Sequence, residues 1–215
     1  MIVRYWMTWS PQTATESMNL LEAFELMNQR RIRRLPVVRQ QKICGIVALS
    51  DLYRFVSPSA IKTATFAAEE VNALKSHIIA EVMTTDPITC QLNTPLEDAG
   101  DLMCKQKVSA LPVLQEERLV GIITESDLFR ALVSITHSGE DGKRLCFRIP
   151  ESDKKRVFSK IVALCNQHEV EILTLLTHPL KEELSLMVMM RIRGGRAEQF
   201  LQALWEIHYN ILTIE

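Results

Sequence analysis

What this sequence lacks is catalytic hardware. There is no Gly-rich phosphate loop of the G-x-x-x-x-G-K-[ST] or G-x-G-x-x-G kind, no H-E-x-x-H and no G-x-S-x-G. Those absences remove the usual signatures of nucleoside-triphosphate hydrolysis, dinucleotide chemistry, zinc proteolysis and serine hydrolysis. The five histidines (His77, His137, His168, His178 and His208) are scattered, with no Cys or carboxylate near them in a ligating or catalytic spacing. The five cysteines (Cys44, Cys90, Cys104, Cys146 and Cys165) are odd in number, far apart and free of C-x-x-C. That pattern excludes a disulfide frame or zinc site and fits reduced thiols in the cytosol, with Cys44 and Cys104 expected as small buried apolar residues. No apolar run approaches the roughly 20 residues of a spanning helix. The longest, from Ile172 to Leu180, is broken by His178 and Pro179. The opening, Met1 to Met7, lacks the apolar core and cleavage site of a signal peptide, so a soluble cytoplasmic protein is expected. A net charge of -1 argues against a nucleic-acid surface, which needs a basic excess on one face.

What is present is a repeat. Sliding the chain by 76 positions aligns Met7-Thr8 with Met83-Thr84, Pro11 with Pro87, Ala23 with Ala99 and Leu26-Met27 with Leu102-Met103. Leu35-Pro36-Val37 then falls on Leu111-Pro112-Val113, Gly45-Ile46 on Gly121-Ile122, and Ser50-Asp51-Leu52 on Ser126-Asp127-Leu128. No gap is needed from residue 4 to 54, and 17 positions are identical. Each copy reads β-α-β-β-α. A short strand after the Pro (Gln12 to Thr15; Ile88 to Gln91) leads to a helix with apolar residues at helical spacing (Leu20, Ala23, Phe24, Met27; Leu96, Ala99, Leu102, Met103). Thr94-Pro95-Leu96-Glu97 reads as a capping box with Pro at the first helical position. Two strands follow, joined by polar turns, and a last helix begins at Ser50 or Ser126. A unit this small cannot bury its own sheet face, so the copies should pack around a pseudo-twofold axis. Ser57 to His77 reads as a helix connecting them.

The chemistry concentrates at Gly121-Ile122-Ile123-Thr124-Glu125-Ser126-Asp127. A buried strand end runs straight into a helix, with Ser126 and Asp127 read as the cap of a helix from Leu128 to Val133. Free backbone N–H groups at a helix start attract an anion, and the Thr124 hydroxyl and Asp127 carboxylate add a donor and an acceptor pair. A phosphate suits the first set and a ribose diol the second. A plain helix cap explains an isolated Ser-Asp pair equally well.

Met-Thr-x-x-Pro, an Ala-x-x-x-Met helix, Leu-Pro-Val and Gly-Ile-Ile-Thr-x-Ser-Asp-Leu, twice over, resemble a pair of CBS motifs over residues 1 to about 135. The resemblance implies CBS motifs at 1–56 and 79–135, joined by a linker helix at 57–78. It also implies a regulatory, non-enzymatic role and an adenosine ligand (AMP, ADP, ATP or S-adenosylmethionine) in composite clefts between the motifs, with no cofactor required. By the same resemblance, the main cleft combines Thr124, Ser126 and Asp127 of the second copy with Ser10, Ile32, Arg33 and Arg34 of the first. Asp127 would hold the ribose hydroxyls, Thr124 a phosphate, and the two arginines the remaining phosphate charge. Arg30 and Arg31, in the same basic run, read as a solvated helix end. The related cleft would use Asp51, Ser50, Asp86, Ser109 and Ala110. There Ala48 replaces the threonine, and Ser109-Ala110 replaces the arginines, so this cleft should be weak, empty or fit for an uncharged adenosine.

After a Gly-containing linker at 136–143, the order is strand (Arg144 to Ile149), helix (Asp153 to His168, capped by Ser152), strand (Glu171 to Thr177), strand (Glu183 to Arg191), helix (Ala197 to Ile207) and strand (Asn210 to Ile214). Gly194-Gly195 marks the turn into the second helix. That is the βαββαβ order of a ferredoxin-like sandwich, giving a mixed α+β and α/β protein. Met187, Met189 and Met190 read as core or interface packing. Residues 144–215 resemble an ACT domain, and the whole order resembles the acetoin utilisation protein AcuB family. The resemblance implies a homodimer, with a regulated protein partner possible; the charge balance and the short apolar runs speak against a nucleic-acid or membrane partner. The turn Ile149-Pro150-Glu151-Ser152-Asp153 lacks the glycine with which such domains hold amino acids. A ligand-free interaction scaffold, and an amino-acid or small-acid sensor acting through this domain, are the other two readings.

Overall fold

The structure, a computed structural model, describes residues 1–57, 66–136, 139, 141–180, 183–207 and 209–214. The chain divides into two compact units, Met1–Arg130 and Ala131–Glu215.

In the first unit, copy one holds β1 (Thr8–Trp9), α1 (Leu20–Arg30), β2 (Arg34–Arg39), β3 (Lys42–Ala48) and the short α2 (Leu49–Leu52). Helix α3 (Ala68–Ser76) follows. The expected linker helix at 57–78 lies partly outside the described residues, as does part of the linker at 136–143. Copy two holds β4 (Thr84–Thr85), β5 (Cys90–Gln91), α4 (Leu96–Gln106), β6 (Ala110–Gln115), β7 (Arg118–Thr124) and α5 (Glu125–Ile135).

Helix α1 buries Leu20, Ala23, Phe24 and Met27, the stripe its periodicity predicts. The Asn19 side chain caps it by accepting the Glu22 N–H at 2.9 Å. At the other end Arg31 turns left-handed (φ 54°), and the Ile32 N–H returns to the Met27 carbonyl. Helix α4 ends the same way at Lys107 and Val108. Its start differs from expectation. Leu96 follows an extended Pro95, and the Thr94 hydroxyl accepts the Gln91 N–H, so the capping box does not form. The Leu96 N–H is instead taken by the Met1 carbonyl at 3.0 Å. Copy one repeats this across the axis, with the Leu20 N–H on the His77 carbonyl at 3.0 Å.

These bonds belong to an exchange. Strand β1 pairs antiparallel with β7 of the other copy (Thr8 with Ile122, Trp9 with Gly121), and β4 pairs with β3 (Thr84 with Ile46, Thr85 with Gly45). The sheets are therefore β1-β7-β6-β5 and β2-β3-β4. The strand expected at Gln12 to Thr15 shrinks to one bridge, Ala14 with Val37. Glycine makes room at two of the pairing sites: a Cβ on Gly121 would collide with the Met7 sulfur and stand 3.0 Å from the Thr8 carbonyl, and one on Gly45 would stand 2.5 Å from the Met83 sulfur and 3.1 Å from the Thr84 carbonyl. The Met-Thr of each copy is thus fitted to the Gly-Ile of the other.

The second unit holds β8 (Lys143–Pro150), α6 (Val157–Gln167), β9 (Glu171–Leu180), β10 (Ser185–Arg193), α7 (Ala197–Glu206) and β11 (Asn210–Ile214). The sheet order β11-β8-β10-β9, antiparallel throughout, is the ferredoxin-like arrangement. Alternate residues of β8 and β10 (Leu145, Phe147, Ile149; Leu186, Val188, Met190, Ile192) share one core with Val157, Ile161 and Phe200. Met190 lies in that core, while Met187 and Met189 are half-buried on the opposite face. Helix α6 starts at Val157 after a 3-10 turn at Glu151–Asp153, so Ser152 does not cap it. Cysteine placement also departs from expectation: Cys104 is exposed and Cys44 half-buried, whereas Cys90 and Cys165 are buried. Burial pushes both buried thiols up to about 11.

Candidate functional site

Two strand-to-helix junctions related by the pseudo-twofold are the candidate sites. At the second, β7 delivers Thr124 to the mouth of α5, and the helix begins at Glu125, three residues earlier than the Ser-Asp pair suggests. The cap position is therefore Thr124, and Asp127 sits three residues in, reaching back. Its Oδ2 accepts the Thr124 N–H at 2.8 Å and the Thr124 hydroxyl at 2.7 Å, and its Oδ1 accepts from Arg130. Asp127 is 3% exposed, yet the Arg130 side chain covering it is 68% exposed. A buried carboxylate at a helix N-terminus is thus paired with a largely exposed cation. Ser126 is exposed beside it.

Arg130 was not among the residues expected at the site. The signal was in the sequence: arginine three residues after aspartate on one helix face, repeated as Asp51 and Arg54.

The first junction is poorer. Asp51 accepts the Ala48 N–H at 2.8 Å, but Ala48 has no hydroxyl to add. Its helix, α2, stops at Leu52 and passes into a 3-10 turn at Tyr53–Phe55. Ser50 is exposed there.

The remaining expected residues fall around these junctions. Ser10 and Asp86 both adopt positive φ, 46° and 47°, at the ends of the exchanged strands. The Ser10 N–H donates to the Val120 carbonyl on β7, and the Asp86 N–H to the Cys44 carbonyl on β3. Ser10 therefore borders β7 on one edge, four residues before Thr124. On the other edge Ala110 is the register partner of Thr124, and the Ser109 carbonyl accepts the Glu125 N–H at 3.2 Å. Ile32 is half-buried and Arg33 exposed. Arg34 crosses the axis: its guanidinium donates to the Ser109 hydroxyl at 2.6 Å and to the Arg33 carbonyl at 2.9 Å. The arginine expected at the main cleft is thus bonded to a serine expected at the other. Among the described residues no cluster of His, Cys, Asp and Glu could hold a metal ion, and no helix is long and apolar enough to cross a membrane.

A duplicated β-α-β-β-α unit whose leading strands are exchanged between copies defines a class of paired modules. A family model for the CBS domain matches residues 3–58 and 79–134, and the chain belongs to the CBS-domain family. It is 29% identical over 146 residues to the uncharacterized protein MJ1426 of Methanocaldococcus jannaschii, a match covering 57% of this chain and 86% of that protein. Among the curated relatives the matched share falls to 22% for an inosine-5'-monophosphate dehydrogenase of Korarchaeum cryptofilum. A Vibrio cholerae structure provisionally described as an acetoin utilization protein (AcuB) is 30% identical, covers 66% of this chain and 98% of its own, and has a TM-score of 0.51. The CBS domain pair of protein MJ0100, solved with 5'-methylthioadenosine and S-adenosyl-L-methionine, is 25% identical with a TM-score of 0.51, covering 62% of this chain and 97% of its own.

Proposed function

We propose that this is a non-catalytic regulatory protein whose CBS pair takes an adenosine ligand at the Thr124–Asp127 junction. The reading rests chiefly on one observation: Asp127 is buried at a helix start, and one of its oxygens accepts from the largely exposed Arg130. A ribose diol can displace that arginine and use the Oδ1 lone pairs, while Thr124 keeps Oδ2 fixed. Ser10, Ile32 and Ser126 border the junction, and Arg33 and Arg34 supply charge for a phosphate. The two ligands solved with MJ0100 support an adenosine class, and neither carries a phosphate. The second junction (Ser50, Asp51, Asp86, Ser109, Ala110) takes an uncharged adenosine at most. The ferredoxin-like unit, read as ACT-like, serves dimerisation or relay to a regulated protein partner. Ligand acts by binding one arrangement of the pair better than another.

Calorimetric titration of the full chain with AMP, ADP, ATP, adenosine and S-adenosylmethionine tests this. At least one should bind at millimolar concentration or below, and Asp127→Asn should weaken it tenfold or more, about the effect of one charge-assisted hydrogen bond. Heat from none of the five sinks the proposal. It would favour a second reading, a ligand-free assembly scaffold, for which the carboxylate's existing bonds to Thr124 and Arg130 speak.

A further inference from the structure

The two junctions are tied together by one side chain. The Arg33 carbonyl accepts the N–H of Leu49, the first residue of α2, at 3.0 Å. Its pseudo-symmetric counterpart, the Ser109 carbonyl, accepts the N–H of Glu125, the first residue of α5, at 3.2 Å. Arg34 reaches both of these anchor residues, through the Arg33 carbonyl and the Ser109 hydroxyl. The symmetry mate of Arg34 is Ala110, which has no polar side-chain atom and cannot return the bond. The cross-axis clip is therefore single and one-sided.

We infer that Arg34 is a competitive clip that makes the pair respond to the phosphate of its ligand and not to the nucleoside alone. The inference rests on the adenosine reading above and adds its regulation. Arg34 has one guanidinium and a fixed fork of donors. A phosphate near Thr124 draws that fork off Ser109 and the Arg33 carbonyl, because an anionic acceptor outbids a neutral hydroxyl or carbonyl. The Leu49 N–H then shares its carbonyl with no second donor, and the two helix starts are no longer joined. An adenosine without phosphate fills the ribose position and leaves the clip closed. A ligand that distinguishes the two arrangements shifts their balance, and one that does not shifts nothing.

The test uses the full chain with AMP and adenosine as probes, in wild type, Ser109→Ala, Arg34→Ala and the double variant. Ser109→Ala removes the cross-axis one of the two competing acceptors and leaves the Arg33 carbonyl, a small change at a half-buried position, so the fold survives it. It should tighten AMP about tenfold, the share of one hydrogen bond to a charged group, and, read in an Asp51→Ala background that silences the second junction, leave adenosine at the Thr124–Asp127 junction within about twofold. Arg34→Ala should weaken AMP alone, and the double variant should match it, since without the arginine the serine has nothing to hold. Amide exchange at Leu49 should change on adding AMP and stay unchanged with adenosine. If Ser109→Ala leaves the ratio of AMP to adenosine affinity unchanged, or moves both probes equally, the clip is refuted while the adenosine site stands. If neither probe binds wild type, the site itself is refuted and the clip with it.

Discussion

Replacing Asp127 and Asp51 by alanine, one at a time, turns the internal duplication into a controlled experiment. Both carboxylates occupy the same helical position, and both accept the N–H of the residue three before them at 2.8 Å. Asp127 adds the Thr124 hydroxyl at 2.7 Å and the Arg130 guanidinium. Loss of the shared bond strips a partly buried N–H of its acceptor, worth about 1 to 2 kcal/mol after the recovered desolvation of the carboxylate is subtracted. The Arg130 pair, largely exposed on the arginine side, contributes no more than about 1 kcal/mol. The hydroxyl adds about 1 kcal/mol, since Thr124 is only half-buried and can turn to water. Asp127→Ala should therefore cost about 3 kcal/mol and Asp51→Ala about 1.5. At the size of the first unit these amounts lower its melting temperature by roughly 8–12 °C and 4–6 °C respectively. Urea and thermal unfolding, followed through the half-buried Trp6, measure both. Equal losses would show that the hydroxyl and arginine do nothing for the junction, and the asymmetry between the copies would lose its physical basis.

Two further outcomes are expected. Gly121→Ala should destabilise the first unit by about 1–3 kcal/mol, because the added Cβ collides with the Met7 sulfur and stands 3.0 Å from the Thr8 carbonyl. Combining it with Met7→Ala should cost less than the sum of the two, and strict additivity in denaturant titrations would show that the contact is not strained. A thiol reagent at neutral pH should label Cys104 first and spare Cys90 and Cys165, whose folded thiols ionise only near pH 11. The buried pair should react as fast as Cys104 only once the chain unfolds or the pH approaches that value, and early modification of Cys90 in peptide mass maps would contradict the burial.

Long periodic elements were legible and short exchanged ones were not. The 76-residue offset located α1, α4 and the paired strands, because apolar spacing and Gly or Pro punctuation are local signals. The βαββαβ order of the second unit was readable for the same reason. The exchange was invisible: β1 is two residues long and its partners lie at Gly121 and Ile122, so nothing in the neighbouring sequence marks it as a strand. The Thr94 capping box failed because its hydroxyl accepts the Gln91 N–H and the helix starts one residue later, with the Leu96 N–H taken by Met1. At the junction the expected Thr124 and Asp127 do come together, but with a division of labour the sequence did not reveal. Ser and Asp rank high as caps, but Thr124 already ends the strand and leaves Asp127 at the position from which a carboxylate reaches back. Arg34 carried a charge visible in the sequence, whereas its attachment to Ser109, 75 residues on, is a fact of the folded pair.

The traded strands have a consequence for how this chain can be divided. A fragment holding one copy keeps an arm for which it has no sheet of its own and lacks the arm its own sheet edge requires. Cut at the middle, the two fragments should find one another in solution sooner than either becomes a stable monomer.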